Sequence, residues 1–282
     1  MSIKVAAWNL KNGLGDETRS GQIVEEIKKL DADIVVLPEA SQEEDLQDVV
    51  DELRQEFTEN NGYVVDDGYM VGAALYEDKD RRLDRHGMIV LNRLFIGSCV
   101  VEESLGDRNG MYVETSDPDT STPFTFHAFG VHFDDRSEAS RLQQAQATDF
   151  FLRRFDGTPR IIAGDFNSMP RQAIRSGVGR VARLLPARYP TTERPHISPI
   201  KRGANVLHRF GAMASGGTLQ MLEAVGFEDA DPDHQPTWPN AHPRFQLDHI
   251  MVSGEAHAFP FQVHDRSDGL SDHRAISATI ET

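Results

Sequence analysis

The chain has 282 residues, 39% of them hydrophobic and 26% charged, which excludes a fibrous or largely disordered protein and allows roughly 75% of the unfolded surface to be buried. One cysteine, Cys99, excludes an intramolecular disulfide and a zinc–thiolate cluster, and fits a reducing compartment. A net charge of −16 excludes a surface that grips nucleic acid over its whole extent. That average hides an asymmetry. Residues 16–67 hold seventeen acidic against four basic groups, whereas residues 171–210 hold nine Lys or Arg against Glu193 alone.

In chain order, Ile3 to Trp8 reads as a strand and Ser20 to Leu30 as an amphipathic helix, with Ile23, Val24, Ile27 and Leu30 at helical spacing. Asp33 to Leu37 reads as a buried strand that Pro38 should stop. A second helical pattern covers Glu43 to Phe57. Four strand-like segments follow at Met70 to Tyr76, Gly87 to Leu91, Leu94 to Val101 and Met111 to Thr115. Phe124 to His132 is another, and Ser137 to Arg154 predicts a long helix with a serine cap. Arg160 to Ala163 is a short buried strand, and a stretch rich in Arg, Pro and Gly runs from it to about Gly217. A short helix at Leu219 to Val225 precedes strands at Gln246 to Val252, Phe259 to Val263 and Arg274 to Ile280. Strands alternating with helices around an antiparallel-looking middle predict mixed sheets covered by helices. Without a recognisable secretory signal or a bilayer-long apolar stretch, the expected protein is soluble, cytoplasmic and without a membrane anchor.

Polar residues recur where apolar strands end. Asn9 follows VAAW, Glu39 follows DIVVLP, His132 follows FHAFGV, and Asp165 and Asn167 follow RIIAG. Asp248 sits in FQLDHIMV, and Asp272 with His273 precedes the last strand. Any one of these could be a turn or cap residue. Strand ends open onto one rim of a sheet, however, so the set can converge. Carboxylates and amides without cysteine suit a hard cation, Mg²⁺ or Mn²⁺, and histidines beside carboxylates suit stabilisation of a phosphoryl group. Together they describe hydrolysis of a phosphate ester by an activated water.

The series AWNLKNG, VVLPEA, GVHFDD, AGDFNS, QLDHI and SDHRAI, from Ile3 to about Ile280, resembles the endonuclease/exonuclease/phosphatase superfamily. The resemblance implies a four-layered α/β sandwich, two mixed β-sheets packed face to face with helices outside, as a single domain over 1–282 with a basic, insertion-like segment at about 171–215. It implies Glu39 as the principal metal ligand with Asn9 and Asp272 nearby, and Asp165 orienting or deprotonating the attacking water. Asn167 would hold the phosphate or metal, His273 paired with Asp248 would stabilise the transition state, and His132 would face the leaving group or phosphate. Lys11 and Asn12 stand where many relatives that cut abasic DNA carry an Asp, which argues against a second metal-binding carboxylate there. Arg141, with Gln144, matches a recurring Arg-x-x-Gln and either contacts substrate or supports a loop. Alternation along the strand turns His249 away from Asp248 and makes it structural, and His127 and His86 take no role.

For the substrate, nucleic acid is the expected partner, because Arg175, Arg183, Lys201 and Arg202 belong to the basic segment between two site motifs. Trp238 either stacks on a base or packs on the sheet edge. The alternatives are a small or lipid phosphoester, as in sphingomyelinases and inositol phosphatases, and an inactive relative used for binding. Retention of Glu39, Asp165, Asn167, Asp248 and His273 argues against inactivity, since folding alone has no use for mutually repelling carboxylates.

Overall fold

The architecture comes from a computed structural model, which describes residues 2–16, 18–42, 48–53, 74–76, 86–93, 100–105, 109–116, 125–170, 213, 216–265 and 269–282. Strands β1 (Ser2–Ala7), β2 (Ile34–Gln42), β3 (Ala74–Tyr76), β4 (His86–Asn92), β11 (His257–His264) and β12 (Ala275–Glu281) form one sheet in the order β11-β12-β1-β2-β4-β3. The second sheet takes β5 (Val100–Ser104), β6 (Asn109–Ser116), β7 (Thr125–His132), β8 (Arg160–Asp165), β9 (Phe227–Asp229) and β10 (Asp248–Ser253), in the order β5-β6-β7-β8-β10-β9. Each sheet is mixed, because β1 and β2 run parallel, as do β7 and β8, while the remaining neighbours are antiparallel.

Period-two alternation in the strands sorts their side chains into separate cores. Ile3, Val5, Ala7, Ile34 and Val36 of the first sheet meet Val113, Phe126, Ala128, Ile161, Ala163, Ile250 and Val252 of the second. The opposite face of the first sheet, with Ala6, Trp8, Val35 and Leu37, packs on α1 (Ser20–Leu30) and on Val49, Val50 and Leu53 of a helical stretch over 48–53. The outer face of the second sheet, with Phe129, Val131, Ile162 and Met251, packs on α2 (Glu138–Leu152) and α3 (Gly217–Ala224). Helix, sheet, sheet, helix is the four-layered sandwich that the motif order implied. Among the described residues no helix is long and apolar enough to cross a membrane.

Ser137 caps α2 as expected, accepting from Ser140 N at 3.2 Å. Pro38, by contrast, does not end β2. The pairing with β4 shifts register between Leu37 and Ser41 and then resumes at Ser41 opposite Gly87, so Pro38 sits in an irregularity where no ladder N–H is required of it. Its carbonyl accepts from Leu10 N, and Glu39, held at φ 48°, accepts from Asn12 N. The helical pattern at Glu43 to Phe57 is seen at 48–53, the strand expected at Met70 to Tyr76 at Ala74–Tyr76, and that expected at Leu94 to Val101 at Val100 and Val101. The rest of these three stretches lies outside the described residues. The short β9, which pairs with β10, had no periodicity to announce it.

Candidate active site

Register brings the strand-end residues together. His132 of β7 lies opposite Asp165 of β8, and Asp165 lies opposite Asp248 of β10, so three neighbouring strands of one sheet carry them at one level. The other sheet contributes Asn9 just past β1, Glu39 inside the β2 irregularity, and Asp272 and His273 just before β12. Ser271 fastens this side, its hydroxyl donating to Asn9 O at 2.6 Å and accepting from His273 N at 3.1 Å. Gly164 precedes Asp165 at φ 140°, and a Cβ there would stand 2.0 Å from Val131 O. Only glycine lets β8 approach β7 so closely at this point.

Asp165 is the hub. Its Oδ2 accepts from Asn9 Nδ2 at 2.9 Å and lies 3.7 Å from His132 Nε2 and 3.8 Å from His273 Nε2, while Oδ1 accepts from Asn167 N at 2.9 Å. Burial pushes its carboxyl up; the nearby His273 opposes this and Asp248 adds to it, leaving a value of about 7. For His273, burial disfavours the charged ring, but Asp248 and Asp165 outweigh it and raise the imidazolium to about 10. His273 Nδ1 donates to Asp248 Oδ2 at 2.9 Å, and Thr237 Oγ1 donates to the same oxygen at 2.5 Å. The expected His-Asp pair is therefore formed, with Thr237 setting the carboxylate's orientation. Asn167, at φ 48°, donates its amide to Phe133 O at 2.9 Å, which leaves a second amide hydrogen for a phosphate oxygen.

Glu39 completes the near side. Its Oε1 lies 3.5 Å from both His132 Nε2 and Asn9 Nδ2, and Oε2 makes no hydrogen bond among the described residues. Asp272 is the most open acid, its side chain 35% exposed, and Lys11 Nζ pairs with its Oδ2 at 3.1 Å. Burial tends to raise Asp272, yet His273, Lys11 and the Trp238 side chain hold it below the usual carboxylate range. Asn9 Oδ1 already accepts from Lys11 N at 3.0 Å, so Asn9 has one lone pair left for a metal and otherwise aligns Asp165 with Glu39.

Asp165, Asp248 and His273 also offer ligand atoms within 4.8 Å of one another. Two of these three are committed to the His-Asp pair, and Asp248 is wholly buried beneath it. The oxygen donors that suit a hard divalent cation and keep some exposure are Glu39 and Asp272, whose side chains are 24% and 35% exposed.

Of the two alternatives for Arg141, its contacts choose the loop and overturn a substrate contact. Arg141 is fully buried, its guanidinium bonded to Glu138 Oε2 and Asp134 O, so it braces the loop after β7 and does not reach a substrate. Gln144 does the same through Asp134 N, and Glu138 ties that loop to α3 through Thr218 N. Trp238 lies at the site, half-buried, with its ring 6.4 Å from that of His273 and 6.0 Å from that of Phe245. His249 is structural, bridging Asp229 Oδ2 and Ser168 O, and His127 is buried against Tyr112 and Phe155. Arg175, Arg183, Lys201 and Arg202 lie outside the described residues. Sequence reasoning missed Thr237 and Ser271; Ser271 at least stands in the SDH motif, whereas nothing local marks Thr237 as the partner of a residue eleven positions on.

With the geometry in place, comparisons agree on the class. Residues 6–273 match the model of the endonuclease/exonuclease/phosphatase family, and the chain belongs to that family, whose members are divalent-metal-dependent phosphoesterases. No curated protein matches the sequence. Among solved structures, an endonuclease/exonuclease/phosphatase from Bacteroides vulgatus is 15% identical with a TM-score of 0.66, the match covering 100% of this chain and 99% of that one. A truncated TDP2 from Caenorhabditis elegans is 16% identical with a TM-score of 0.57, covering 100% and 98%. A mannosyl-6-phosphatase from Bacteroides thetaiotaomicron is 15% identical with a TM-score of 0.57, covering 99% and 100%. At such identities these neighbours share the fold, and their names do not choose a substrate.

Proposed function

We propose that this protein is a nuclease that hydrolyses phosphodiester bonds of DNA or RNA with Mg²⁺ or Mn²⁺, acting in the cytoplasm. The observation that carries the chemistry is Asp165, a buried carboxylate whose Oδ2 faces the Nε2 atoms of both His132 and His273. Glu39 and Asp272 would hold the cation, which when bound supplies a Lewis acid for a phosphoryl oxygen. Asp165, held near neutrality, takes a proton from the attacking water as its oxygen bonds to phosphorus. His273, kept charged by Asp248, donates through Nε2 to the phosphoryl oxygens as negative charge grows on them. Asn167 adds its amide hydrogen, and His132 faces the same gap. The bond to the leaving oxygen then breaks, that oxygen takes a proton from solvent water, and Asp165 returns to solvent the proton it accepted.

Charge supports nucleic acid as the substrate. Nine cations against one acid lie at 171–210, between Asn167 and Asp248, both of which reach the site, while the other 242 residues carry twenty basic and forty-four acidic groups. A polyanion is repelled by that body and attracted by this segment. A second reading, a small or lipid phosphoester, draws on the same placement, since a polyphosphate meets the same cations.

The test incubates the protein with Mg²⁺ or Mn²⁺ and plasmid DNA, single-stranded RNA, sphingomyelin, inositol polyphosphate or bis-p-nitrophenyl phosphate, each with an EDTA control. Metal-dependent cleavage of DNA or RNA at rates well above the other substrates is expected. Cleavage of only the lipid or the inositol phosphate selects the second reading, and full activity in excess EDTA refutes both.

A further inference from the structure

Lys11 is held in a conformation that lysine adopts at a cost. Its φ is 50° and that of Asn12 is 58°, two successive left-handed residues immediately before Gly13. The surrounding backbone fastens them. Leu10 N donates to Pro38 O, Asn12 N to Glu39 O and Leu14 N to Ala40 O, so the segment after β1 lies along the irregular part of β2. Asn9 Oδ1 accepts from Lys11 N and fixes the turn from inside the site. Asn or Gly would sit at this backbone position with less strain, so the chain tolerates the strain for a side chain that reaches Asp272.

What Lys11 meets there is one open acid. Its side chain is 57% exposed and its ammonium lies 3.1 Å from Asp272 Oδ2. Asp272 is followed in the chain by His273, whose Nε2 lies 3.8 Å from Asp165 Oδ2, so the ammonium is paired to the acid next to the group that would meet a phosphate in the proposed reaction. Pairing in so exposed a place is weak and exchanges readily. A divalent cation has twice the charge of the ammonium and binds carboxylate oxygen directly, so it displaces Lys11 from Asp272. The freed ammonium carries three rotatable donors on a flexible stem and is repelled by the cation, while a phosphate drawn to that cation attracts it.

We propose that Lys11 is a phosphate-binding residue which a divalent cation releases from Asp272, so that the site works with one metal ion and one ammonium in place of two metal ions. This rests on the phosphoesterase reading of the site but on neither choice of substrate, because any phosphate ester presents the same oxygens. It also assigns Lys11 a cost in the metal-free protein, where it competes with the cation for Asp272.

The test compares the whole protein with Lys11→Met and Lys11→Arg. Mn²⁺ binding to the free protein is followed by electron paramagnetic resonance, binding of inorganic phosphate to the Mn²⁺-loaded protein by calorimetry, and KM and kcat with bis-p-nitrophenyl phosphate. Wild type should bind one Mn²⁺ per chain. Lys11→Met should bind Mn²⁺ about threefold more tightly, and should lose roughly three- to tenfold in phosphate affinity, with KM raised by a similar factor and kcat changed less. Lys11→Arg should restore phosphate affinity and the wild-type Mn²⁺ affinity together. Two Mn²⁺ per chain in the wild type, or a Lys11→Met variant with unchanged Mn²⁺ affinity or unchanged phosphate affinity, overturns the proposal. If the wild type hydrolyses no phosphate ester, the phosphoesterase reading fails, and the two binding measurements still decide whether Lys11 competes for Asp272 and holds phosphate.

Discussion

Asp165→Asn should make the metal-free protein more stable while removing its activity. Asp165 is buried, and its carboxyl is raised from 3.8 to about 7, so ionising it in the folded chain costs a few kcal/mol, roughly 4 at the upper end. The sign follows from linkage. The stabilising contribution of the protonated group is complete below 3.8, where both folded and unfolded chains hold the proton, and is lost as pH rises through about 7. Asparagine keeps the shape without the charge and has no such dependence. In EDTA the two proteins should therefore melt together near pH 4 and diverge up to pH 8, where the variant should lead by about 8 °C at that upper end for a chain of this size. Divalent metal should narrow the gap, because it binds the folded wild type more tightly. Turnover should meanwhile fall by ~10²-fold or more. Thermal melts in EDTA at pH 4, 6 and 8 make the measurement. A gap that fails to open with pH would show that burial does not disfavour the ionised carboxylate and that Asp165 titrates as it does in the unfolded chain.

Three other outcomes follow from the same geometry. The pH–rate profile should rise as Asp165 ionises, at or below about pH 7 because bound metal favours the anion, and fall as His273 loses its proton near pH 10; a profile that is flat between pH 5 and 10 would contradict both assignments. Asp248→Ala and His273→Ala should each cost ~10²-fold in turnover and be strongly non-additive together, since either change disables one hydrogen-bonded unit, whereas additive losses would make Asp248 merely structural. Replacing Arg175, Arg183, Lys201 and Arg202 by Ser should weaken nucleic-acid binding and reduce the slope of log affinity against log salt by about 0.7–0.9 per lost phosphate contact, while hydrolysis of bis-p-nitrophenyl phosphate survives; an unchanged slope would favour the small or lipid substrate.

The sequence made the layers legible because burial leaves a periodic trace. Ile23, Val24, Ile27 and Leu30 announce α1, and the apolar runs into Asn9, Glu39, His132 and Asp165 announce strands with something polar at their ends. Pro38 misled because proline ends a regular strand but not an irregular one, and irregularity comes from tertiary contacts, here the carbonyls of Pro38 and Glu39 offered to Leu10 and Asn12. The site was readable at the level of residue types. Its wiring was not. Whether Arg141 faces a ligand or a loop depends on where the backbone of Asp134 runs, and no local pattern in α2 carries that information.

The same distinction explains why Thr237 and Ser271 escaped notice while Asp165 did not. A carboxylate at the end of an apolar strand is conspicuous because folding alone disfavours it, so its chemistry shows through composition. Thr237 and Ser271 cost the fold nothing, and each gains a function only from a partner, Asp248 or Asn9, that the two sheets carry to the same rim. Lys11 is intermediate. Its charge is unremarkable in a chain with twenty-nine basic residues, and its significance lies in a left-handed backbone that only the structure reveals. Buried acids thus mark where a cation or proton must join the protein, and the groups that decide which one joins, and when, are the modest side chains around them. Asp165, near neutrality without metal, and Asp272, already paired with Lys11, are two carboxylates in one site that meet this need differently. Asp165 gains and loses its proton near pH 7, as the proposed base would need to, and Asp272 is held as an anion beside Lys11.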